Sequence, residues 1–454
     1  MAQRSRVALW LAGVIGLAVA ARCTDLGARL TMDDAYTWLT ASSPNVHVFL
    51  ARLAANENSP PLIYLLVGAM PSFAPAWLRV PSVTAGVLLP AVLFACVRPR
   101  LGARAALLGA LGVAVAPYMV TYSNLARGFM PADLALLFML WCLLAQADDE
   151  RPWRWAAFVL AGAVAVYTEY GSVVFVVAAA LAALWIGRPR RGAVVVATAA
   201  VLLALVPWIP EIVRGEQAVG HTKFNPLDAS PSLTALRDLV GALAFGENGG
   251  TASAAGRWLI LIAVLALAAA GLAVVRRGWD QRPPAAQDTA RLLAGTVLLT
   301  LIGYALAAVV GVDIFTQRYL TAIVAPVAAL AAWALTCVAG RRTLAVAAIL
   351  LAAVGIANAV RRAGTEFEPS VAALGPQVRA LHPRTVLTNT PTVLYYLRDL
   401  HPIFDRPYNI GPGRAATCAR PCVVVDDSRV HGGTPRPVSG TARSVAPFVI
   451  VDEP

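Results

Sequence analysis

A chain of 454 residues that is 58% hydrophobic and only 14% charged is not a soluble globular domain, where about a quarter of residues carry charge. Its formal charge of +12 does not point to nucleic acid. Most arginines stand in short loops between apolar runs, as the positive-inside rule places them in cytoplasmic loops. The basic charge is almost all Arg, with Lys223 a rare lysine, a composition that fits a GC-rich bacterial genome. The mean hydropathy is +0.67. Many apolar runs reach the roughly 17–25 residues that cross a bilayer. The expected fold class is an all-α polytopic membrane protein.

Met1 to Ala21 has a basic start and a long apolar run. It is read as an uncleaved first transmembrane helix over Val7–Ala21 rather than a signal peptide. Thr24 to Pro60 then lies outside. Leu62–Met70 is too short to span before Pro71. Placing it at the interface puts Arg98, Arg100, Arg104, Arg188, Arg190 and Arg191 all on the cytoplasmic side. Further spans are expected at Val80–Val97, Ala105–Thr121, Phe129–Ala145, Trp155–Tyr167, Ser172–Ile186, Ala193–Trp208, Trp258–Val275, Leu292–Val310, Tyr319–Val338 and Leu344–Val360. That makes about eleven spans, with the N-terminus inside and a long outer loop over Ile209–Gly256.

From Gly364 the apolar runs shorten to strand length, at Arg384–Leu387 and Cys422–Val425, with Val393–Leu397 as a short helix or strand. The division is a membrane domain over 1–363, with a catalytic outer loop at 24–79, and a small extracytoplasmic α/β domain over 364–454. Cys23, Cys96, Cys142 and Cys337 lie in or beside apolar runs. Cys418 and Cys422 sit close together in the polar domain, where a disulfide is plausible if that domain is outside.

The polar residues converge on one side. Asp33, Asp34, Glu57, Tyr122, Arg127, Tyr167, Glu169, Tyr170, Asp313, Arg318 and Tyr319 all fall on the outer face. A charge at the bilayer centre costs roughly 2.5–3.5 kcal/mol on insertion scales, so these groups belong at a surface or in a polar cavity. Asp133 lies more than a turn into a helix, which makes it a functional candidate by position. Acids, arginines and tyrosines gathered under a soluble cap suggest a site for a phosphate-bearing lipid and a polar acceptor.

The motifs resemble a family. Thr31-Met32-Asp33-Asp34-Ala35-Tyr36-Thr37-Trp38 looks like the first-loop acidic motif of GT-C glycosyltransferases. It is most similar to the bacterial family 39-like branch, related to protein mannosyltransferases and aminoarabinose transferases. Asn56-Glu57-Asn58-Ser59-Pro60-Pro61-Leu62-Ile63-Tyr64, Leu78-Arg79-Val80-Pro81-Ser82, Tyr122-Ser123-Asn124-Leu125-Ala126-Arg127, Tyr167-Thr168-Glu169-Tyr170 and Gln317-Arg318-Tyr319-Leu320 resemble that branch's later motifs, in the same order. Ser59 stands where the branch has His, Leu125 where it often has Glu, Gly128-Phe129 where it has a bulkier pair, and Glu169 where it has His.

The resemblance implies an inverting transfer from a polyprenyl-phosphate sugar to an extracytoplasmic hydroxyl of a glycan, lipid or protein. Asp33 is the implied general base, with Asp34 beside it as the second catalytic candidate. Glu57, Tyr122, Arg127, Glu169, Tyr170, Arg318 and Tyr319 are the expected substrate-binding residues. Arg318 is the first candidate to stabilise the leaving lipid phosphate, and Arg127 the second. No cofactor is fixed by the sequence; a divalent cation is left open, with its ligands unassigned. The expected location is the bacterial cytoplasmic membrane. The alternative is a transporter or flippase. That class should show paired halves with broken helices near the midplane, and no such halves are evident.

Overall fold

The computed structural model describes residues 2–56, 59–187, 190–212, 276, 278–309, 317–363, 369–388, 390–400, 403–404, 422–427, 441–445 and 448–453. The helices are α1 (Ala2–Cys23), α2 (Met32–Ala41), α3 (Val46–Asn56), α4 (Leu62–Gly68), α5 (Pro75–Leu101), α6 (Ala103–Val115), α7 (Pro117–Ser123), α8 (Phe129–Asp148), α9 (Pro152–Thr168), α10 (Ser172–Ile186), α11 (Arg191–Ala204), α12 (Pro284–Val309), α13 (Thr321–Val338), α14 (Arg341–Ala363), α15 (Pro369–Ala380) and α16 (Pro391–Tyr396). Among the described residues, six helices are long and apolar enough to cross a membrane, or seven when the bent pair α6 and α7 is taken as one span. The expected span at Trp258–Val275 lies outside the described residues. So do the Ile209–Gly256 loop beyond residue 212, and Asp313.

Helices stand at most of the expected spans with longer ends, because they continue past the apolar window into Pro-initiated first turns, but Pro152–Thr168, Ser172–Ile186 and Arg341–Ala363 are not among the six, so the expected eleven is not reached among the described residues. Pro75, Pro152 and Pro284 each open a helix, where the missing N–H is one of the unsatisfied donors anyway. Leu62–Gly68 is a helix of only seven residues. It is too short to span.

The run expected as one span over Ala105–Thr121 is instead broken. Pro117 has no N–H for the carbonyl of Val113, and the chain bends by 57° between α6 and α7. Arg22, from the end of α1, fills the gap. Its Nη1 donates to the carbonyls of Ala114 (2.7 Å) and Ala18 (3.2 Å), its Nη2 to that of Val113 (3.4 Å), and its Nε to Ser123 Oγ (2.9 Å). The guanidinium is fully buried. A Cβ on Gly86 would lie 2.2 Å from Ser123 Oγ and 2.8 Å from Arg22 Nε, so only glycine leaves room for this contact.

α6 forms the spine, packed against α1, α5, α13 and α14; α8 packs on α5 and α9, and α10 on α12. Leu9, Trp10, Trp185, Val196, Leu203, Ile349 and Val360 face outward. An apolar exterior of this kind suits lipid contact.

The C-terminal region is α/β. Strands β1 (Thr385–Thr388), β2 (Ile403–Phe404), β3 (Cys422–Asp427), β4 (Thr441–Val445) and β5 (Phe448–Glu453) form one sheet in the order β2-β1-β3-β5-β4. β1 pairs in parallel with β2 and β3; β5 runs antiparallel to β3 and β4. Val386, Val423 and Val425 make its core with Leu374, Val378, Val393 and Leu397 from α15, α16 and the turn after α16. Cys418 and the Cys422 side chain lie outside the described residues.

Candidate active site

Two neighbouring carboxylates organise the first loop. Thr31 caps α2: its hydroxyl accepts from the amide of Asp34 (3.2 Å), and Asp34 Oδ2 accepts from the amide of Thr31 (3.1 Å). This reciprocal box satisfies two helix-end donors at once. A helix turns about 100° per residue, so Asp33 and Asp34 face different neighbours.

Asp34 points inward and is wholly buried. Its Oδ2 receives Arg79 Nη2 at 2.7 Å, and its Oδ1 receives the Ala126 amide at 2.6 Å. Arg79 also donates to the carbonyls of Asp25, Leu26, Ala28 and Arg29. One guanidinium on α5 thus ties the turn after α1 to the start of α2. Both oxygens of Asp34 are committed to this framework.

Asp33 faces the mouth and stays 31% exposed. Its Oδ1 accepts from Arg127 Nη2 at 2.8 Å. Arg127 Nη1 donates to Tyr64 Oη at 3.2 Å, and its carbonyl accepts from Ser82 Oγ at 2.8 Å. Burial pushes the Asp33 carboxyl up. The charge and hydrogen bond of Arg127 and the charge of Arg318 outweigh that and hold it at about 2. Arg318 itself is exposed, in the 3-10 turn Gln317–Leu320 that precedes α13.

The turn that carries Arg127 is held by a close approach. A Cβ on Gly128 would fall 2.2 Å from the Thr168 carbonyl oxygen. That contact accounts for glycine where the resembling family has a bulkier residue. Behind it, Tyr122 stacks edge-on against Tyr118 and Phe129, and Phe129 meets Tyr319 with centroids 6.2 Å apart. Gly171 lets the Tyr319 ring in, since a Cβ there would sit 2.5 Å from it.

The structure therefore brings together Asp33, Arg127, Arg318, Tyr122 and Tyr319. Glu169 lines a small cavity with Asp133 and Ser172, and Phe129 and Tyr319 belong to the wall of that cavity as well as to the ring cluster. Tyr170 is half-buried; burial first, then the charges of Glu169 and Glu211, push its phenol up. Glu57 lies outside the described residues. Sequence reasoning passed over Arg79, Tyr64 and Arg22 as functional residues. Arg79 lay inside a quoted motif. Arg22 was left beyond the end of the first helix, because its carbonyl partners on α6 and at Ser123 are remote in sequence.

Among the described residues no three His, Cys, Asp or Glu side chains converge on one point. Arginines occupy both first-loop acids, so the described donor set at the mouth does not fit a divalent cation.

A short helix from the C-terminal region closes one side of the loop. Tyr396 Oη accepts from the Leu30 amide at 2.8 Å, and Tyr395 Oη donates to the Phe73 carbonyl at 3.0 Å. Trp38 and Tyr395 pack edge-on at 5.2 Å. These rings join Leu30, Leu53, Ile63, Tyr64, Val67, Leu78 and Ala126 in one apolar cluster.

Residues 58–213 match the family described as dolichyl-phosphate-mannose-protein mannosyltransferase. No curated protein sequence matches the chain. ArnT from Cupriavidus metallidurans in the apo state superposes with a TM-score of 0.65 at 13% identity, covering 99% of this chain and 98% of that one. The same protein bound to undecaprenyl phosphate gives 0.59 at 15% identity, with 98% of each chain covered. The oligosaccharyltransferase of Archaeoglobus fulgidus with Zn and sulfate gives 0.50 at 14% identity, covering 92% of this chain and 68% of that one. At such identities the superpositions establish the fold. Residues 58–213 carry the family similarity, and the whole chain is a multi-pass membrane protein with the GT-C-like fold of ArnT.

Proposed function

We propose that the enzyme moves a sugar from a polyprenyl-phosphate donor to an acceptor hydroxyl on the extracytoplasmic side of the bacterial inner membrane. The observation that carries this reading is the Asp33 carboxylate set between two guanidiniums, Arg127 and Arg318, at the mouth of the bundle. A solved relative of the same fold is described as bound to undecaprenyl phosphate, and another as in complex with a dolichol-phosphate and an inhibitory peptide. Both fit a lipid-phosphate donor. In this reading residues 364–454 form an extracytoplasmic domain over the site.

The acceptor hydroxyl attacks the anomeric carbon as the bond to the lipid phosphate breaks. Asp33 takes the hydroxyl proton, and the departing phosphate gains charge that Arg318 stabilises. Tyr319, half-buried, walls the donor side, and Tyr122 is buried behind it. Asp34 positions the loop rather than reacting, since its oxygens are already engaged by Arg79 and Ala126.

A carboxylate held at about 2 is a weak base, because a general base works best with a pKa near the operating pH. Donor binding corrects this. The donor's phosphodiester monoanion on Arg318 cancels part of the positive field at Asp33 and raises its proton affinity. The base thus strengthens when donor is in place, which disfavours idle chemistry in the empty site.

The test is transfer of label from polyprenyl-phosphate sugars to a host envelope extract by the reconstituted protein. Loss of transfer in Asp33→Asn, with donor binding kept, supports the assignment. Undiminished transfer in that variant rejects Asp33 as the base. Substrate flux across the bilayer with no transfer from any donor would mark a transporter instead.

A further inference from the structure

Asp133 lies one turn inside α8 and is only 6% exposed. Its Oδ2 has no hydrogen-bond partner among the described residues. Its carboxyl hydrogen-bonds Thr321, but an unsatisfied carboxyl oxygen buried in a membrane span is costly, and its presence points to a bound group. The oxygen belongs to a small cavity lined by Asp133, Glu169, Ser172, Tyr304, Tyr319 and Thr321, with Phe129, Ala132 and Ala322 as apolar walls.

That cavity is rich in acceptors. Tyr304 Oη donates its proton to the Gly171 carbonyl at 3.1 Å. Thr321 Oγ1 donates to the Arg318 carbonyl at 3.1 Å. A hydroxyl carries one proton; that of Tyr304 is committed, and Asp133 Oδ2 stays without a donor although Thr321 also hydrogen-bonds the Asp133 carboxyl. An oxygen-only lining of two carboxylates and several hydroxyls is the donor set of a hard cation. Its size admits an ion or a water but not a sugar ring. A divalent ion takes three or more strong side-chain ligands or, like Mg²⁺ on one or two carboxylates, keeps several waters; no such group of three occurs among the described residues, and the cavity has no room for those waters.

We propose that this cavity is a binding site for a single sodium-sized monovalent cation, held by Asp133 and Glu169 with Ser172, Tyr304 and Thr321. The cation would brace five elements: α8, the α9–α10 turn, the start of α10, α12 and the start of α13. It is separate from the first-loop acids and takes no part in the transfer chemistry.

The experiment uses the full chain in nanodiscs. Thermal unfolding is followed in sodium, potassium and choline chloride at equal ionic strength, with radioactive sodium binding measured alongside. Sodium should raise the midpoint by about 3 °C or more over choline, saturating with concentration, because a ligand of the folded state stabilises by mass action. Asp133→Asn should lose both the shift and the bound sodium. If that variant does not fold, Glu169→Gln and the wild-type binding isotherm decide. Equal midpoints in sodium and choline, or stability that follows pH alone, would overturn the proposal and leave a shared proton or a water in the cavity. Neither readout depends on transfer, so failure here leaves the glycosyl-transfer reading untouched.

Discussion

Asp33–Arg127 and Asp34–Arg79 are two ion pairs that begin one residue apart and belong to different environments. The Arg79 and Asp34 side chains are 2% and 0% exposed, whereas Arg127 and Asp33 are 11% and 31% exposed. The inner pair is surrounded by backbone: Arg79 holds four carbonyls, and Asp34 holds two amides. The outer pair ends in a tyrosine hydroxyl and an open mouth. A helix makes this division by its pitch alone. The lesson is that an acidic pair in sequence need not be a pair in chemistry; one member builds the loop so that the other can be presented.

The sharpest way to break that comparison is to remove each charge separately. Asp33→Asn should cut transfer by about 100-fold or more, the usual scale for a lost general base, with a smaller loss of stability than at Asp34, because the outer pair is partly exposed. Asp34→Asn should do the reverse in origin. Leaving Arg79 buried without its counter-charge costs about 3–5 kcal/mol, and activity should fall with the folded fraction. If Asp34→Asn folds normally and loses transfer while Asp33→Asn keeps it, the roles are exchanged.

pH provides the next contrast. The Asp33 carboxyl is lowered to about 2 in the folded protein, against roughly 3.9 unfolded. A depressed folded value means stability that is fully present above the unfolded pKa and lost as pH falls through the folded one. Arg127→Gln should raise the Asp33 pKa, moving the acid limb of kcat/KM upward and shrinking that acid-range stability. An unchanged acid limb would show that Arg318 alone sets the charge of Asp33.

The smallest effect is expected at the clamp. Tyr396→Phe leaves the Leu30 amide without its acceptor, for a loss of about 1 kcal/mol. The predicted signature is faster amide exchange at Leu30 with the membrane helices unaffected.

The sequence made the apolar spans legible because a bilayer imposes length and composition. Ser172–Ile186 was delimited as it stands, and the run Leu62–Met70, a helix over Leu62–Gly68, was recognised as too short to cross. The α6–α7 break was missed although Pro117 is visible, because its neighbours are apolar and the repair comes from Arg22, whose bond to Ser123 spans 101 positions. At the site, residue types and motif order pointed to Asp33, Arg127 and Arg318. What they could not give was the division of labour between Asp33 and Asp34. That depends on Arg79, 45 positions away, and on an amide of Ala126, 92 positions away.

The Leu30–Tyr396 hydrogen bond joins residues 366 positions apart. A ribosome makes Leu30 early and Tyr396 late. The first loop therefore emerges long before the helix that clamps it, and waits through the insertion of the spans between them. Assembly order doubles as a safeguard: the loop that presents Asp33 gains its final support only after the polypeptide up to Tyr396 has been made and threaded to its place.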